Sequence, residues 1–299
     1  MSVVDQALRA ADEPGAILAI VGPTASGKTE LAVAMAEKIG GEIVGADSIQ
    51  VYRAFDVGSG KPSPDEIARA PHHLVGVVDP LEPFDAASWA ARASRAIDEI
   101  RSRGRIPIVC GGTFLWIKAL LFGLAEAPGG DHEARARHRE IAEQQGRAAL
   151  HARLRDVDPD AAERLHPNDF VRVSRALEVY EISGRTLTSW QREHGFAHAR
   201  HRARLIAIGC DAAQLTERIR RRVARCIEQG WVEEVQALLA GGYGGARAMG
   251  SVGYAQVRAA IDGTLAREEV ADAIVRATRV FARRQRTWLR HADVTWLSP

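Results

Sequence analysis

The chain has 299 residues, 46% hydrophobic and 26% charged, with a formal net charge of +2. This is ordinary globular composition, enough for one large domain or two modest ones. It argues against a membrane protein, because no apolar run approaches the roughly 20 residues that span a bilayer, and against a disulfide scaffold, because Cys110, Cys210 and Cys226 form neither a metal spacing nor an even set of bridges.

The N-terminal "MSVVDQALRAADEPG" lacks a basic segment followed by an apolar core, so no secretory signal is expected and the reducing cytoplasm is the expected compartment. The first apolar run, Ile17–Val21, reads as a buried strand, and "GPTASGKT" follows it directly. Gly22 and Gly27 hold the two required positions of a phosphate loop, with Pro23, Thr24, Ala25 and Ser26 between them and Lys28 and Thr29 behind. Exposed N–H groups at a helix start favour anions, Lys28 adds a point charge, and the Thr29 hydroxyl is placed to ligate a Mg²⁺ bridging phosphates. A helix is expected next, with Leu31, Met35 and Ile39 on one face, then a strand at Ile43–Val44.

"GADSIQVYR" follows that strand. Asp47 at the C-terminal edge of a parallel sheet can reach a ligand and accept a proton, or it can simply close an Asx turn. A third strand is expected at Leu74–Val78, a helix burying Trp89, Ala93, Ile97 and Ile100, and a fourth strand at Ile106–Cys110. That strand ends in Gly111-Gly112, which lets a ligand approach the backbone; Thr113 is either part of such a site or the cap of the next helix. Trp116, Leu120 and Leu121 read as core.

From about Lys118 to Arg200 polar helical segments replace the strand–helix alternation, after the break "AEAPGGD". Here "HPNDFVRVSRALEVYEISGR" reads as a helix capped by Asn168 or Asp169 and ending near Gly184. Its Arg172 and Arg175 share a face, which is either a solvated surface or a support for a nucleic-acid backbone. "ARLIAIGCD" and "DVTWL" read as returning strands. Between them one long amphipathic stretch is expected to Leu239, a glycine-rich loop, and a helix to about Arg290. Arg218, Arg222 and Arg225 line one stripe, as a solvated face or as a clamp on leaving phosphates. The last 29 residues carry six arginines against two aspartates.

The expected fold is thus an α/β parallel-sheet core with a phosphate loop, residues 1–117 and 201–299, interrupted by a helical insertion, residues 118–200. Two absences narrow the chemistry. No DDxxD run is present, and the strand ending at Cys110 carries no acid of the kind an ATPase or kinase uses to hold its metal.

"GPTASGKTELA", "DSIQVYRAFDVGSGKPS", "CGGTFLWIKALLFGL", "HPNDFVRVSRALEVYEISGR", "VGY" and "ARRQRTWLR" occur in this order over nearly the whole chain. Together they resemble the tRNA dimethylallyltransferases, or tRNA isopentenyltransferases. The resemblance implies a nucleotide-kinase-like core with a tRNA-gripping helical insertion. It also implies transfer of a dimethylallyl group from dimethylallyl diphosphate to the exocyclic amine of the adenosine 3′ to the anticodon. On that reading Gly22–Thr29 hold diphosphate with Mg²⁺ on Thr29. Asp47, Thr24, Lys28, Arg218 and Arg222 form the catalytic set. Asp47, Ser48, Ile49, Gln50, Thr113, Arg135, Val171, Arg172, Val173, Ser174, Arg175 and Gly250, Ser251, Val252, Gly253, Tyr254, Ala255 lie against tRNA. Three positions depart from the family pattern: Trp116 in place of tyrosine, Ala255 in place of a basic residue, and Ser59-Gly60 in place of Thr-Ala. The alternatives are an adenylate isopentenyltransferase acting on free AMP, ADP or ATP, a small-molecule kinase, and a non-catalytic RNA-binding module. No membrane and no obligate protein partner is expected.

Overall fold

Every residue of β1 (Ile17–Val21) is apolar and buried, the pattern of a parallel strand covered on both faces. It is the hinge of a six-stranded sheet ordered β3-β2-β4-β1-β5-β6, with β2 Gly41–Gly45, β3 His72–His73, β4 Ile106–Gly111, β5 Ala203–Ile208 and β6 Val294–Leu297. Every adjacent pair is parallel. The strands that follow β1 up to residue 111 lie on one side of it, and those after residue 203 lie on the other. β1 is therefore where the strand order reverses, the place at which open parallel sheets bind ligands. The structure, a computed structural model, describes residues 2–11, 13, 15–290 and 292–298.

The expected α/β core is present. α1 (Val3–Ala10) and α2 (Lys28–Ile39) cover one face, where Leu31 and Met35 join Ile20, Ile43, Ile108 and Ile206 in one cluster. α4 (Ala86–Ser102), which follows α3 (Pro64–Arg69), buries Trp89, Ala93, Ile97 and Ile100. The Trp89 ring stacks on Trp116 at 5.3 Å, and its Nε1–H donates to the Gly45 carbonyl at the end of β2, 2.9 Å away. Trp116, Leu120 and Leu121, all on α5 (Phe114–Phe122), are core as expected.

Two expected elements are corrected. The third strand is His72–His73, not Leu74–Val78, because Leu74 and Gly76 both adopt positive φ and break the extended run. The N–H groups of Gly76, Val77 and Val78 donate instead to the carbonyls of Gln50 and Val51. The long stretch after Asp211 is two helices, α11 (Ala212–Glu228) and α12 (Trp231–Ala240), separated where Gly230 turns left-handed at φ +93°. The segment that follows likewise holds two helices, α13 (Tyr254–Ile261) and α14 (Val270–Leu289).

The chain divides into two units, Met1–Leu121 with Arg200–Pro299, and Phe122–Ala199. The second is helical: α6 (His132–Gln144), α7 (Arg147–Val157), α8 (Pro159–Arg164), α9 (Phe170–Ser183) and α10 (Leu187–His194). Its own core gathers Leu150, Leu154, Ala161, Val173, Ala176 and Leu177. Asp169, one of the two cap candidates, accepts from the Arg172 N–H, and left-handed Gly184 ends α9.

Candidate active site

The phosphate loop is shaped by its glycines. Gly22 sits at φ +156° and Gly27 at φ +90°; a Cβ on Gly22 would stand 2.9 Å from the Ser26 hydroxyl. Gly27 supplies no side-chain cap to α2, so the first N–H groups of that helix remain open to an anion. Lys28 begins the helix and its ammonium lies 3.4 Å from the Pro23 carbonyl. Burial pulls the Lys28 pKa down; Cys110 and Asp47 oppose that, and Arg222 adds to it. Among the described residues the Thr29 hydroxyl makes no hydrogen bond, so it is open to a ligand.

Two arginines of α11 reach this loop across the sheet edge. Arg222 Nη1 donates to Thr24 Oγ1 at 3.1 Å and its Nη2 to the Ser59 carbonyl at 2.8 Å. Arg218 Nη1 donates to the Ser26 carbonyl at 3.2 Å. All three acceptors are neutral, so the loop gains two guanidinium charges that pair with no carboxylate among the described residues. Arg225 has no part in this; it points to solvent.

Asp47 sits just past β2. Its Oδ1 accepts from the Ile49 N–H (2.9 Å) and the Gln50 N–H (3.3 Å), so the Asx turn weighed from sequence does form. The turn does not consume the carboxylate: Oδ2 makes no hydrogen bond among the described residues, and Asp47 lines a cavity of about 290 Å³. Thr113 precedes α5, yet its hydroxyl does not cap that helix. It accepts from the Ser48 N–H at 3.0 Å, tying the Asp47 loop to the end of β4. Glycines 111 and 112 admit the chain itself rather than a ligand: added Cβ atoms would stand 2.1 Å from the Ala46 carbonyl oxygen and 2.2 Å from Gln285 Nε2.

The cavity is lined by both polar and apolar side chains. Thr24, Asp47, Ser59, Thr113 and Arg222 are polar, whereas Ile219, Val223, Ile274, Phe281 and Trp231 are apolar. Gln50, expected against a substrate, has its amide spent on the Ser59 and Gly60 carbonyls, where it braces the same loop as Arg222. Gly250, Ser251 and Val252 line the cavity. Gly253 and Tyr254 are buried, and a Cβ on Gly253 would meet the Trp231 ring at 2.1 Å. Ala255 is half-buried.

Two residues that sequence reasoning did not single out hold this site together. Glu234 on α12 accepts from the N–H groups of Asp56, Val57 and Gly58 and from the Tyr254 hydroxyl, the last at 2.6 Å. Tyr254 in turn accepts from the Ser59 N–H, and burial, with Glu234 beside it, pushes its phenol pKa well up. Gln285, buried on α14, accepts from the Thr24 N–H at 2.9 Å and donates to the Gly112 carbonyl at 3.0 Å. Neither has a local sequence signal, since each acts on a loop more than 170 positions away.

A larger concavity, about 510 Å³, lies between α11 and α14 and is lined by Arg276, Arg279, Arg283, Arg286 and Arg290. None of these five has an acidic partner among the described residues.

The insertion unit carries the remaining expected residues. Val171 is 75% exposed, and Arg172 is exposed beside Asp169. Val173 is fully buried, and Ser174 bonds His138 Nδ1 in the interior, so these two side chains face the unit's own core and not a substrate. Arg135 and Arg175 both bind Glu178, which is completely buried, and Arg175 also donates to the Gly129 and Pro128 carbonyls.

The IPP transferase family profile matches residues 50–292, and the isopentenyl transferase profile matches residues 15–73. The chain is 64% identical to a tRNA dimethylallyltransferase of Sorangium cellulosum, over 95% of this chain and 91% of that one. It is 50% identical to a tRNA dimethylallyltransferase of Geobacter sulfurreducens, over 92% and 88%. Among solved structures, a full-length tRNA isopentenylpyrophosphate transferase from Bacillus halodurans superposes with a TM-score of 0.70. Its sequence identity is 34%, over 95% of this chain and 90% of that one.

Proposed function

The chain belongs to the tRNA dimethylallyltransferase (IPP transferase) family, and we propose that it transfers a dimethylallyl group from dimethylallyl diphosphate to tRNA. The acceptor is the exocyclic amine of the adenosine 3′-adjacent to the anticodon. One observation carries the assignment within the site: a single cavity brings Thr24 of the phosphate loop and Arg222 together with a carboxylate that has one free oxygen and with apolar side chains. A five-carbon prenyl diphosphate has the matching charged and apolar ends.

The loop N–H groups, Lys28 and Arg222 hold the diphosphate, and Arg218 stiffens the loop at Ser26. As the allylic carbon–oxygen bond breaks, its electron pair passes to the diphosphate, and fixed positive charge there lowers the barrier. The Thr24 hydroxyl accepts from Arg222, which directs its own proton towards the leaving group. The adenine amine supplies the pair for the new carbon–nitrogen bond and gives its proton to Asp47 Oδ2, while Oδ1 stays anchored to the turn. The apolar wall of Ile219, Val223, Ile274 and Phe281 holds the methyl groups and keeps water from the allylic centre.

Magnesium suits this donor set, because it needs few protein ligands where phosphates and waters complete its shell. The free Thr29 hydroxyl at the loop would be its protein ligand, and the ion would offset charge on the departing diphosphate.

The target base must leave its stack to reach a sheet edge. Val171 and Arg172 on the insertion unit and the arginine row of α14 supply exposed apolar and cationic groups for the RNA. Among the described residues no helix is long and apolar enough to cross a membrane, and the three cysteines are free thiols, which fits a reaction run in the cytoplasm. The test is labelling: protein, dimethylallyl diphosphate, Mg²⁺ and unmodified tRNA should label the adenosine beside the anticodon. Label on free AMP with none on tRNA would overturn the assignment in favour of an adenylate prenyltransferase.

A further inference from the structure

An arginine that stabilises a leaving group must be aimed at it without being neutralised by the group that aims it. Arg222 meets that condition. Its Nη2 donates to the Ser59 carbonyl at 2.8 Å and its Nη1 to Thr24 Oγ1 at 3.1 Å, and it pairs with no carboxylate among the described residues. Whatever fixes the Ser59 carbonyl therefore aims the guanidinium. We propose that Glu234 is a positioning residue for the transfer, acting on Arg222 through the loop of residues 56–60. The proposal rests on reading Arg222 as a clamp on the departing diphosphate.

Three consecutive N–H groups of that loop converge on the one carboxylate. Glu234 Oε2 accepts from Asp56 at 2.9 Å and Val57 at 2.6 Å, and Oε1 accepts from Gly58 at 3.1 Å. Successive N–H groups turned to one side make a concavity for an anion, and here the anion is a side chain of α12. Oε1 also accepts the Tyr254 hydroxyl at 2.6 Å, and the oxygen of that hydroxyl accepts from the Ser59 N–H at 3.0 Å. Glu234 thus fixes Ser59 twice, along the chain and through Tyr254.

Other contacts seat the same loop. A Cβ on Gly58 would stand 1.8 Å from Trp231 Nε1, so the backbone lies directly on the α12 indole. Ser59 Oγ donates to the Phe55 carbonyl at 2.7 Å, and the Gln50 amide donates to the Ser59 and Gly60 carbonyls. These bonds join neutral groups, whereas each bond to Glu234 is charge-assisted and so roughly twice as strong. The negative charge is met by backbone N–H groups and a phenol, not by the guanidinium. Arg222 is oriented by a carboxylate it does not touch, and it stays cationic for the diphosphate oxygens.

The experiment is a double-mutant cycle on the full chain, with Glu234→Gln and Arg222→Ala made singly and together. Glu234→Gln turns one carboxylate oxygen into an NH₂ donor, so one pair of loop or hydroxyl donors loses its acceptor. Single-turnover prenyl transfer to tRNA should slow about tenfold, a part of the roughly 10²–10³ lost with the arginine itself, with the half-saturating tRNA concentration unchanged. In the Arg222→Ala background the further loss should stay under about twofold, because no guanidinium is left to aim. Pyrophosphate affinity, titrated with Mg²⁺, should show the same coupling. Tyr254→Phe removes only the hydroxyl and should repeat the pattern at about threefold, the worth of one hydrogen bond; it decides the matter if Glu234→Gln does not fold. An equal loss with and without Arg222, or a loss confined to the tRNA concentration dependence, would make Glu234 a general support and overturn the proposal. Coupling in pyrophosphate affinity without any transfer to tRNA would uphold the aiming of Arg222 and count against the transfer alone.

Discussion

Two pairs of arginines in this chain look alike in sequence and differ in what they face. Arg135 and Arg175 of the insertion unit share one buried carboxylate, Glu178, whose oxygens also accept the Asp131 N–H. Arg218 and Arg222 of the core face neutral groups instead: carbonyls, a hydroxyl and, for Arg222, the Cys226 thiol. The first set is a closed ion cluster whose charge is spent on holding helices together. The second keeps its charge available, because a neutral acceptor orients a guanidinium without cancelling it. The carboxylates divide in the same way: both oxygens of Glu178 are occupied, whereas Asp47 uses one.

The contrast breaks first at Asp47. Asp47→Asn keeps the acceptor for the Ile49 and Gln50 N–H groups and removes the base, so single-turnover prenyl transfer should fall about 10²–10⁴-fold. Donor affinity, read by titration, should change less than about threefold; a variant that loses the donor while bound donor still reacts would refute the base assignment. Arg222→Ala should come next, lowering kcat by about 10²–10³, and it should also weaken pyrophosphate binding, which Asp47→Asn leaves intact. Equal losses from Arg135→Ala would erase the distinction between spent and available arginines.

Glu178 gives the reverse signature. Glu178→Gln should leave donor affinity unchanged and cost about 2–3 kcal/mol of stability by thermal unfolding, at or below the roughly 3–5 kcal/mol of a broken fully buried pair because both arginines are partly exposed. Its pH dependence is set by the sign of its shift. Burial works to raise this carboxyl's pKa, but Arg175, the Asp131 N–H and Arg135 outweigh it and hold it below the ordinary 4.5. A carboxylate with a depressed folded pKa contributes its full stability above 4.5 and loses it as pH falls further. The gap between Glu178→Gln and the unaltered protein should therefore narrow in acid; a gap constant from pH 7 to pH 3 would contradict the ion-cluster account. The smallest effect is expected at Arg172, exposed beside Asp169. Arg172→Ala should reduce tRNA affinity a few-fold and the salt slope by about one, with pyrophosphate binding unaffected.

Much of this was readable along the chain. The phosphate loop, the strands at residues 17–21 and 106–110, a cap at Asn168 or Asp169 and the stop at Gly184 are local events, each fixed by a few adjacent residues. Leu74–Val78 misled because its apolar run looked like a strand while Leu74 and Gly76 take left-handed backbone, which apolarity does not register. Thr113 was open between a helix cap and a site residue on local sequence, and it lines the cavity. It stands where a cap belongs, and its hydroxyl crosses to Ser48 instead.

The sequence by itself determined a parallel α/β core, a phosphate cradle at the end of β1 and a carboxylate at the end of β2, because glycine spacing and apolar periodicity are short-range properties. Only the tertiary structure decided which arginines are available, which of Val171–Arg175 face outward, and that Glu234 and Gln285 brace the site. Those outcomes depend on what stands opposite each side chain, at separations such as the 261 positions between Thr24 and Gln285. No local pattern encodes that distance; the packing of α14 across the end of the sheet does.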